Sequence, residues 1–378
     1  MRIAIVSETW APEINGVALT VQRYVEQLLA LGHQVELTCP RRGDGHGVTV
    51  PGLEEYRVAG APIPRYPALR FGLPSAARLR RRWQRLRPDA VYVATEGPLG
   101  WSAVGIARSL GIRVATGFHT RFDDFVAHYG AGFLTPLVFA WLRRFHNRAD
   151  ATLVPTKALA EQLALRGFRQ PLALGRSVDC QRFDPRHRDP ALRAQWGADD
   201  NTPVLIQVGR IAAEKNLTLA VAAFAEVRRA NPAARMVWVG DGPALAGLLA
   251  SHPDHHFAGM RLGTDLARHY ASADLFLFPS LTDTFGNVTL EAMASGLPVV
   301  AFDYAAAGAH VEDGGNGRAV AFGDADAFIA ATQELAADAA LRRRLGARAR
   351  ADIEHSAGHD EGRQLLHILC PDAQREVA

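Results

Sequence analysis

The most restrictive feature of this sequence is a regular alternation of short apolar runs and helical patterns in its second half. Strand-length apolar runs are predicted at Val204–Val208, Met236–Val239, His256–Ala258, Leu275–Phe278, Val299–Phe302 and Ala319–Phe322. Strands that alternate with helices build a parallel sheet with helices on both faces. The second half is therefore predicted to be a doubly wound α/β domain.

The first half shows the same alternation in a less regular form, beginning with a strand at Ile3–Val6 and a helix from Val17 to Leu31. A chain of 378 residues exceeds what one hydrophobic core usually serves. The polar segment Leu174–Pro185 precedes the second series and marks a boundary. We expect two doubly wound domains facing a cleft, residues 1–182 and 183–358, and a last helix within 359–378 that packs back on the first domain.

Composition favours a globular protein over a disordered or membrane-spanning one. Hydrophobic residues make up 48% of the chain and charged residues 21%. No apolar run approaches the ~20 residues that cross a bilayer, and the opening MRIAIVSETW lacks the features of a signal peptide. Cys39, Cys180 and Cys370 have neither metal-binding nor redox spacing. We therefore expect a cytoplasmic protein with reduced thiols.

Charge is distributed unevenly along the chain. The net charge of +3 divides into +9 over residues 1–185 and −6 over residues 186–378. Eight arginines and no acidic residue lie between Arg65 and Arg87, in what we predict to be a basic loop and helix with interleaved aromatic residues. Such a face could hold the protein on an anionic membrane, at ~1 kcal/mol for each basic residue, which would place it on the inner face of the cell membrane.

Two other interpretations of Arg65–Arg87 remain at this stage. The segment could be an ordinary solvated helix face in an arginine-rich chain, in which 40 of the 42 basic residues are arginine. It could also bind nucleic acid, although two complete α/β domains do not require this, and we expect no nucleic-acid partner.

The segment Thr282–Val300 (TDTFGNVTLEAMASGLPVV) has the pattern of a loop and helix start that hold an anion. The first turn of a helix has unpaired N–H groups and a partial positive charge, which favour phosphate or sugar oxygens. Asp283 and Glu291 add carboxylates, each able to accept two neighbouring sugar hydroxyls. The pattern indicates a sugar-nucleotide site, with the alternative that both acids are solvated helix residues.

Two basic residues follow the predicted strand Val204–Val208, within the segments Gly209-Arg210 and Glu214-Lys215-Asn216. The carboxyl end of a parallel strand is where ligands bind in open α/β sheets. Arg210 and Lys215 could there offset the negative charge of a departing diphosphate. The alternative is a solvated pair in a loop.

Three further candidates depend on single residues. Gly16 starts a helix, where backbone N–H groups could approach a phosphate, and Gly240 follows a strand in a turn suited to a base or ribose. His119 also follows a strand, although a lone histidine is more often a structural residue.

No Gly-x-Gly-x-x-Gly motif is present, which argues against a dinucleotide dehydrogenase. Asp324 and Asp326 are better explained by helix capping than by metal binding, and no metal is expected.

Taken together, GR…EKN at Gly209–Asn216 and D-x7-E from Asp283 to Glu291 resemble the retaining glycosyltransferases of family 4, which have the GT-B fold. The resemblance extends over essentially the whole chain, since SETWAPEINGV, FHTRFDDFVAHYG and GRSVDCQRFDP are also similar to segments of that family. It is strongest toward bacterial α-mannosyltransferases and glycolipid synthases.

The resemblance implies a role for each candidate residue. Arg210 and Lys215 would bind the donor diphosphate, Glu291 the ribose hydroxyls and Asp283 the hydroxyls of the transferred sugar. The backbone amides of Phe285, Gly286, Asn287 and Val288 would contact sugar and phosphate, with Gly16 beside the diphosphate and His119 near the reacting sugar and acceptor. The chain departs from the family at Asp283, where glutamate is common, and at Ser177, where relatives often have glycine.

The implied reaction transfers a hexose from a nucleoside diphosphate to an acceptor hydroxyl with retention of configuration and without a cofactor. The resemblance favours GDP-mannose as donor, with UDP-linked glucose or sulfoquinovose as the alternative, and a phospholipid, diacylglycerol or lipid-linked glycan as acceptor. A non-catalytic nucleotide-sugar binding module and a nucleotide-dependent oxidoreductase are the alternatives from other functional classes.

Overall fold

A computed structural model describes residues 1–13, 15–41, 50–63, 66–119, 135–356 and 361–371. The chain forms two compact units, one comprising Met1–Arg176 with Asp360–Ala378 and the other Ser177–His359. The second unit begins a few residues before the boundary expected at residue 182. The physical reason is that Val178, which precedes that boundary, is buried in the core of the second unit.

The first unit contains, in its described residues, a seven-stranded parallel sheet with the order β3-β2-β1-β6-β7-β8-β9. Its strands are β1 (Arg2–Val6), β2 (Gln34–Pro40), β3 (Leu53–Val58), β6 (Ala90–Val93), β7 (Arg113–Gly117), β8 (Ala151–Val154) and β9 (Pro171–Ala173). Its helices are α1 (Gly16–Ala30), α2 (Ala76–Leu86), α3 (Pro98–Ser109), α4 (Thr135–His146), α5 (Lys157–Leu165) and the C-terminal α14 (Glu361–Leu369).

The second unit has a six-stranded parallel sheet with the order β12-β11-β10-β13-β14-β15. Its strands are β10 (Val204–Val208), β11 (Arg235–Val239), β12 (His256–Gly259), β13 (Leu275–Phe278), β14 (Val299–Phe302) and β15 (Gly317–Val320). Its helices are α6 (Pro190–Gln195), α7 (Leu217–Ala230), α8 (Leu245–Ser251), α9 (Gly263–Ser272), α10 (Asn287–Ala294), α11 (Ala305–His310), α12 (Ala325–Ala337) and α13 (Ala339–Ser356).

The apolar runs at the centre of the second sheet, β10, β13 and β14, became strands because they are buried on both faces. All five residues of β10 are buried. Ile206 packs into one core cluster, whereas its neighbour Leu205 packs into another. Successive side chains of a strand point to opposite faces, so an uninterrupted apolar run is what a sheet covered by helices on both sides requires. The predicted doubly wound α/β class is confirmed.

Two local predictions were wrong. The strand predicted at Ala319–Phe322 begins at Gly317 instead, because Gly317 pairs with Val299, and Phe322 lies beyond the strand and is 57% exposed. The second error concerns the basic segment, part of which was predicted as a loop. Tyr66–Gly72 forms the strand β5, which pairs antiparallel with β4 (Gly60–Ile63).

The C-terminal helix α14 returns to the first unit. Leu365, Leu366 and Leu369 are buried in the core that surrounds β1 and α1. Arg113 on β7 donates a hydrogen bond to the Ile368 carbonyl at 3.2 Å. No helix in the described ranges combines the length and the apolar character needed to cross a bilayer.

Candidate active site

The topology of the second sheet brings two of the sequence motifs to one edge. Strands β10 and β13 are parallel neighbours, and the sheet extends from them in opposite directions, to β11 and β12 on one side and to β14 and β15 on the other. Doubly wound domains bind ligands at such a switch point, beyond the carboxyl ends of the strands. Arg210 and Lys215 follow β10, and Asp283 and Glu291 follow β13.

An ion pair joins the two motifs. Lys215 Nζ lies 2.8 and 2.9 Å from the two carboxylate oxygens of Asp283, and it donates to Ser280 Oγ at 3.3 Å. Both side chains are largely buried, with 15% and 16% of their surface exposed. The backbone joins the same segments, because the Leu281 N–H donates to the Glu214 carbonyl at 3.1 Å. Residues predicted for the diphosphate and for the sugar therefore neutralise each other in this structure.

Arg210, the other cation predicted for the diphosphate, is more accessible. Its side chain is 38% exposed, and its Nη1 lies 3.4 Å from Oε1 of Glu214, which is 7% exposed. Glu214 and Lys215 belong to a single 3-10 turn, Ala213–Lys215. Each of the two cations thus has a carboxylate partner, while the Arg210 guanidinium keeps an exposed surface.

A tyrosine holds the loop that carries Asp283. Tyr304 Oη accepts a hydrogen bond from the Asp283 N–H at 3.1 Å and donates one to the Ser280 carbonyl at 2.8 Å. Because both bonds are to the backbone, Tyr304 fixes the path of the chain between β13 and α10. The Asp283 carboxylate is presented to Lys215 from this fixed loop.

The helix that follows begins without a side-chain cap. Gly286 precedes α10 with a φ of 89°, and no side chain at that position bonds to the first turn. A Cβ on Gly286 would lie 3.1 Å from the Phe278 ring, tighter than an ordinary contact. Phe285 is buried, whereas Asn287 and Val288 are partly exposed. The backbone from Phe285 to Val288, predicted to contact the donor, therefore turns sharply into the helix.

Glu291 lies in the second turn of α10 and is not an isolated solvated acid. Its Oε2 accepts a hydrogen bond from Tyr270 Oη at 3.0 Å, and the same hydroxyl lies 3.4 Å from the Val288 carbonyl. Tyr270 is fully buried on α9. A rigid neighbouring helix therefore orients the carboxylate.

Gly240 has a structural reason to be glycine. Its φ is 139°, and a Cβ there would collide with the Gly209 carbonyl. The Gly209 N–H donates to the Val239 carbonyl at 3.0 Å, so the two glycines let adjacent strand ends approach closely. The predicted contact of Gly240 with a base or ribose stays a prediction.

Gly16 is the first residue of α1 in the first unit. Asn15 caps this helix, and its Oδ1 accepts hydrogen bonds from the N–H groups of Val17 at 3.1 Å and Ala18 at 2.9 Å. Gly16 is exposed, and a Cβ there would meet nothing within 4 Å. Packing thus gives no reason for glycine at this position, and the predicted approach of a phosphate to Gly16 stays a prediction.

His119 follows β7 and is held at both ring nitrogens. Nε2 lies 2.6 Å from Tyr92 Oη, and Nδ1 lies 2.9 Å from Nη2 of Arg176. Burial lowers the pKa of His119 well below its ordinary value, and the positive charge of Arg176 and the neighbouring His146 lower it further. The predicted segment around His119 continues into residues 120–130, which lie outside the described residues.

A second polar group lies at the switch point of the first sheet, where β1 and β6 are neighbours. Glu8 Oε1 accepts the Leu99 N–H at 3.0 Å, and the Glu8 N–H donates to Thr95 Oγ1 at 2.9 Å. Burial raises the pKa of Glu8 to about 7, and the negative charge of Glu96 adds to the increase, although the hydrogen bond from Leu99 opposes it. Glu8 thus links the loop after β1 to the N-terminus of α3.

Sequence comparison assigns both units. Residues 14–174 match the family Glycosyltransferase Family 4, and residues 202–338 match Glycosyl transferases group 1. The chain is 35% identical to a GDP-mannose-dependent alpha-mannosyltransferase of Mycobacterium tuberculosis, over 80% of this chain and 79% of that protein.

The chain belongs to glycosyltransferase family 4. It is also 28% identical to an alpha-monoglucosyldiacylglycerol synthase of Streptococcus pneumoniae, over 80% of this chain and 71% of that protein. Among solved structures, a sucrose-phosphate synthase from Thermosynechococcus elongatus aligns with a TM-score of 0.78 at 19% identity, over 100% of this chain and 98% of that one. The predicted family and the two-domain GT-B fold are confirmed, and the protein is a glycosyltransferase.

Sequence reasoning missed the residues that position the glycosyltransferase candidates. These are Tyr92, Arg176, Tyr270, Ser280 and Tyr304. None of them belongs to the motifs that predicted the site, because each reaches its partner from another element. Arg176 alone could have been found from the sequence, because it lies in the family-like segment GRSVDCQRFDP. Within the described residues, no group of three His, Cys, Asp or Glu side chains is arranged to hold a metal ion.

Proposed function

We propose that this glycosyltransferase transfers a hexose from a nucleoside diphosphate sugar to a hydroxyl of a lipid or lipid-linked acceptor, with retention of configuration. The observation that carries the proposal is the cluster of Arg210, Lys215, Asp283 and Glu291 at the switch point of the second sheet. It combines two cations for a diphosphate with two carboxylates for sugar hydroxyls.

In the proposed reaction the bond between the sugar C1 and the phosphate oxygen breaks, and the acceptor oxygen bonds to C1 on the same face. The acceptor proton passes to the departing phosphate. Arg210 and Lys215 offset the negative charge that develops on this phosphate, and the N-terminus of α10 adds a partial positive charge. No covalent intermediate with the protein is needed.

The Lys215–Asp283 pair suggests how donor binding proceeds. With both carboxylate oxygens bonded to Lys215, Asp283 has less capacity to accept sugar hydroxyls. A diphosphate would offer Lys215 a second anion, and its approach would release Asp283 toward the sugar. We therefore propose that the pair loosens when the donor binds.

We propose GDP-mannose as the donor because similar proteins from Mycobacterium and Corynebacterium, 33–36% identical, are named GDP-mannose-dependent alpha-mannosyltransferases. The alternative is a UDP-linked donor of glucose or sulfoquinovose, the sugars that appear in the names of the Streptococcus pneumoniae synthase and of the sulfoquinovosyl transferase of Arabidopsis thaliana. Thermal unfolding with GDP-mannose, UDP-glucose and UDP-sulfoquinovose separates them, because a bound donor raises the melting temperature by mass action. We expect the largest increase with GDP-mannose.

The two lysines of the chain allow a direct test of the site. Lys215→Ala should lower turnover of the preferred donor by about 10²–10³-fold, the usual effect of removing one group that stabilises developing charge. Lys157→Ala, at the exposed start of α5, is the matched control and should leave turnover unchanged. Saturating donor should also protect Lys215, and not Lys157, from an amine-modifying reagent in peptide mass spectra. Near-normal turnover of Lys215→Ala would reject the assignment, and donor binding without turnover in the wild type would favour the non-catalytic alternative.

We propose that exposed arginines of the basic segment bring the enzyme to an anionic lipid surface. Arg78, Arg81 and Arg85 are exposed on α2. Arg82 does not contribute, because it pairs with Glu36 at 2.7 Å and also with Glu54. Arg65 lies outside the described residues. The proposal of a lipid contact therefore rests on the exposed surface of α2 and not on the whole segment Arg65–Arg87.

Co-sedimentation with phosphatidylserine-containing vesicles tests this contact. Replacing Arg78, Arg81 and Arg85 by alanine should weaken binding on the order of 100-fold, since each basic residue contributes ~1 kcal/mol. The matched control replaces Arg343, Arg344 and Arg348, which are exposed on α13. Equal losses in both variants, or no binding of the wild type at low salt, would reject the lipid contact. Binding to an oligonucleotide in preference to vesicles would point to nucleic acid instead.

A further inference from the structure

The two hydrogen bonds of His119 determine which ring nitrogen carries its proton. A guanidinium group only donates hydrogen bonds, so Nδ1 must accept the bond from Arg176, 2.9 Å away. A neutral imidazole then carries its hydrogen on Nε2. The Tyr92 oxygen, 2.6 Å away, accepts that hydrogen. The contacts are thus compatible with one tautomer.

The same contacts oppose the charged form of His119. An imidazolium would carry a hydrogen on Nδ1, directed at the donor N–H groups of Arg176. Burial and the positive charge of Arg176 accordingly lower the pKa of His119. Tyr92 cannot offset this repulsion by becoming a negatively charged phenolate, because burial raises the pKa of its phenol and keeps it protonated.

The partners of His119 are themselves held in place. Tyr92 is fully buried on β6, and its ring packs edge-on against Tyr24 with a centroid distance of 5.6 Å. Gly117 has no side chain, and a Cβ there would collide with both Tyr92 Oη and His119 Nε2. Glycine at position 117 therefore leaves room for the hydrogen bond between Tyr92 and His119, which any residue with a Cβ would block.

We propose that Arg176 and Tyr92 are positioning residues that hold His119 as the neutral Nε2–H tautomer in one orientation, so that its side chain does not accept the acceptor proton. The inference rests on the proposed function, because only the sequence resemblance predicts that His119 lies near the reacting sugar. It leaves the departing phosphate as the proton acceptor and confines His119 to a neutral polar contact.

Nuclear magnetic resonance of the full chain, labelled with ¹⁵N in its 14 histidines, reads the tautomer directly. His119 is assigned by the signals that disappear in His119→Gln. We expect an unprotonated Nδ1 and a protonated Nε2 from pH 6 to 8. In Arg176→Met the ring should lose this preference and titrate closer to the ordinary histidine pKa of about 6.5. Arg176→Lys, which also only donates, should restore the wild-type tautomer.

Arg182→Met is the matched control, because Arg182 is an exposed arginine a few residues along the same segment. It should leave the His119 signals unchanged, and unchanged signals of the other histidines in each variant would show that the fold persists. A protonated Nδ1 or a charged ring at pH 7 in the wild type would overturn the proposal. The proposal would also be overturned if His119 in Arg176→Met kept the tautomer and the titration of the wild type.

Kinetics give a second readout. The pH profile of kcat/KM should show no His119 ionisation from pH 6 to 8 in the wild type, whereas in Arg176→Met the ionisation should move toward this range, because the charge of Arg176 is removed while the burial remains. Because the resonance experiment needs neither donor nor acceptor, it can succeed when transfer is not detected. Failure of the proposed function and failure of this inference are therefore distinguishable.

Discussion

At the scale of single residues, the candidate site depends on two carboxylate-bearing residues that tyrosines from neighbouring elements hold in place. Tyr270 holds Glu291, and Tyr304 holds the backbone of Asp283. Neither tyrosine belongs to a motif, yet each fixes a group that does. The residue scale is therefore where the assignments of the site can be tested one hydrogen bond at a time.

Tyr270→Phe removes the hydrogen bond to Glu291 and retains the buried ring. Loss of one such bond to a charged group corresponds to about 1.5–3 kcal/mol, so we expect the donor KM to rise roughly 10- to 100-fold with a smaller change in kcat. Tyr56→Phe is the control, because Tyr56 lies beneath Arg82 in the first unit. A donor KM equal to that of the wild type would show that Glu291 does not bind the donor through this orientation.

At the scale of elements, the loop after β13 must turn into α10 through Gly286. Gly286→Ala places a side chain at a φ of 89° and against Phe278, and we expect it to lower the free energy of unfolding by about 1–2 kcal/mol and to weaken donor binding. Gly247→Ala is the matched control, since Gly247 is an exposed position in α8 where a Cβ meets nothing within 4 Å. That substitution should stabilise the protein by about 0.5–1 kcal/mol. Urea unfolding checks both signs, and a stabilised Gly286→Ala would contradict the strained turn.

Glu8 joins β1 to α3 and gives this junction a pH dependence. Its pKa rises from 4.5 to about 7 on folding, so the folded state retains a proton that the unfolded chain loses between these values. Stability from this group is unaffected below pH 4.5, falls as the pH rises toward 7, and stays reduced above it, by about 3 kcal/mol. Glu8→Gln removes this dependence while keeping an acceptor for the Leu99 N–H. The stability difference between variant and wild type should therefore grow from pH 4.5 to 8, whereas a constant difference would contradict the raised pKa.

At the scale of the whole molecule, the first unit is discontinuous in sequence, because it includes α14. Leu369→Ala removes a fully buried side chain from its core and should destabilise that unit by about 2–5 kcal/mol. Leu335→Ala does the same in the core of the second unit. Calorimetry should show that each substitution lowers a different transition, and that the donor raises the transition lowered by Leu335→Ala, because Arg210, Lys215, Asp283 and Glu291 lie in the second unit. A common shift of one transition would contradict independent units.

The sequence by itself determined the parts of this protein that depend on local pattern. The apolar runs of β10 and β13 predicted buried strands. The motifs that contain Arg210, Lys215, Asp283 and Glu291 were enough to indicate a donor site and the glycosyltransferase family. These features are visible in sequence because burial and helix termini constrain neighbouring residues directly.

Only the tertiary structure decided how these residues are paired and held. Lys215 and Asp283 are far apart in sequence and meet because β10 and β13 are neighbours in the sheet. Tyr92 reaches His119 from the strand β6, and Arg176 reaches it from the last residue of the segment Met1–Arg176. Such contacts depend on strand order and on side chains that cross between elements, and no local pattern records either.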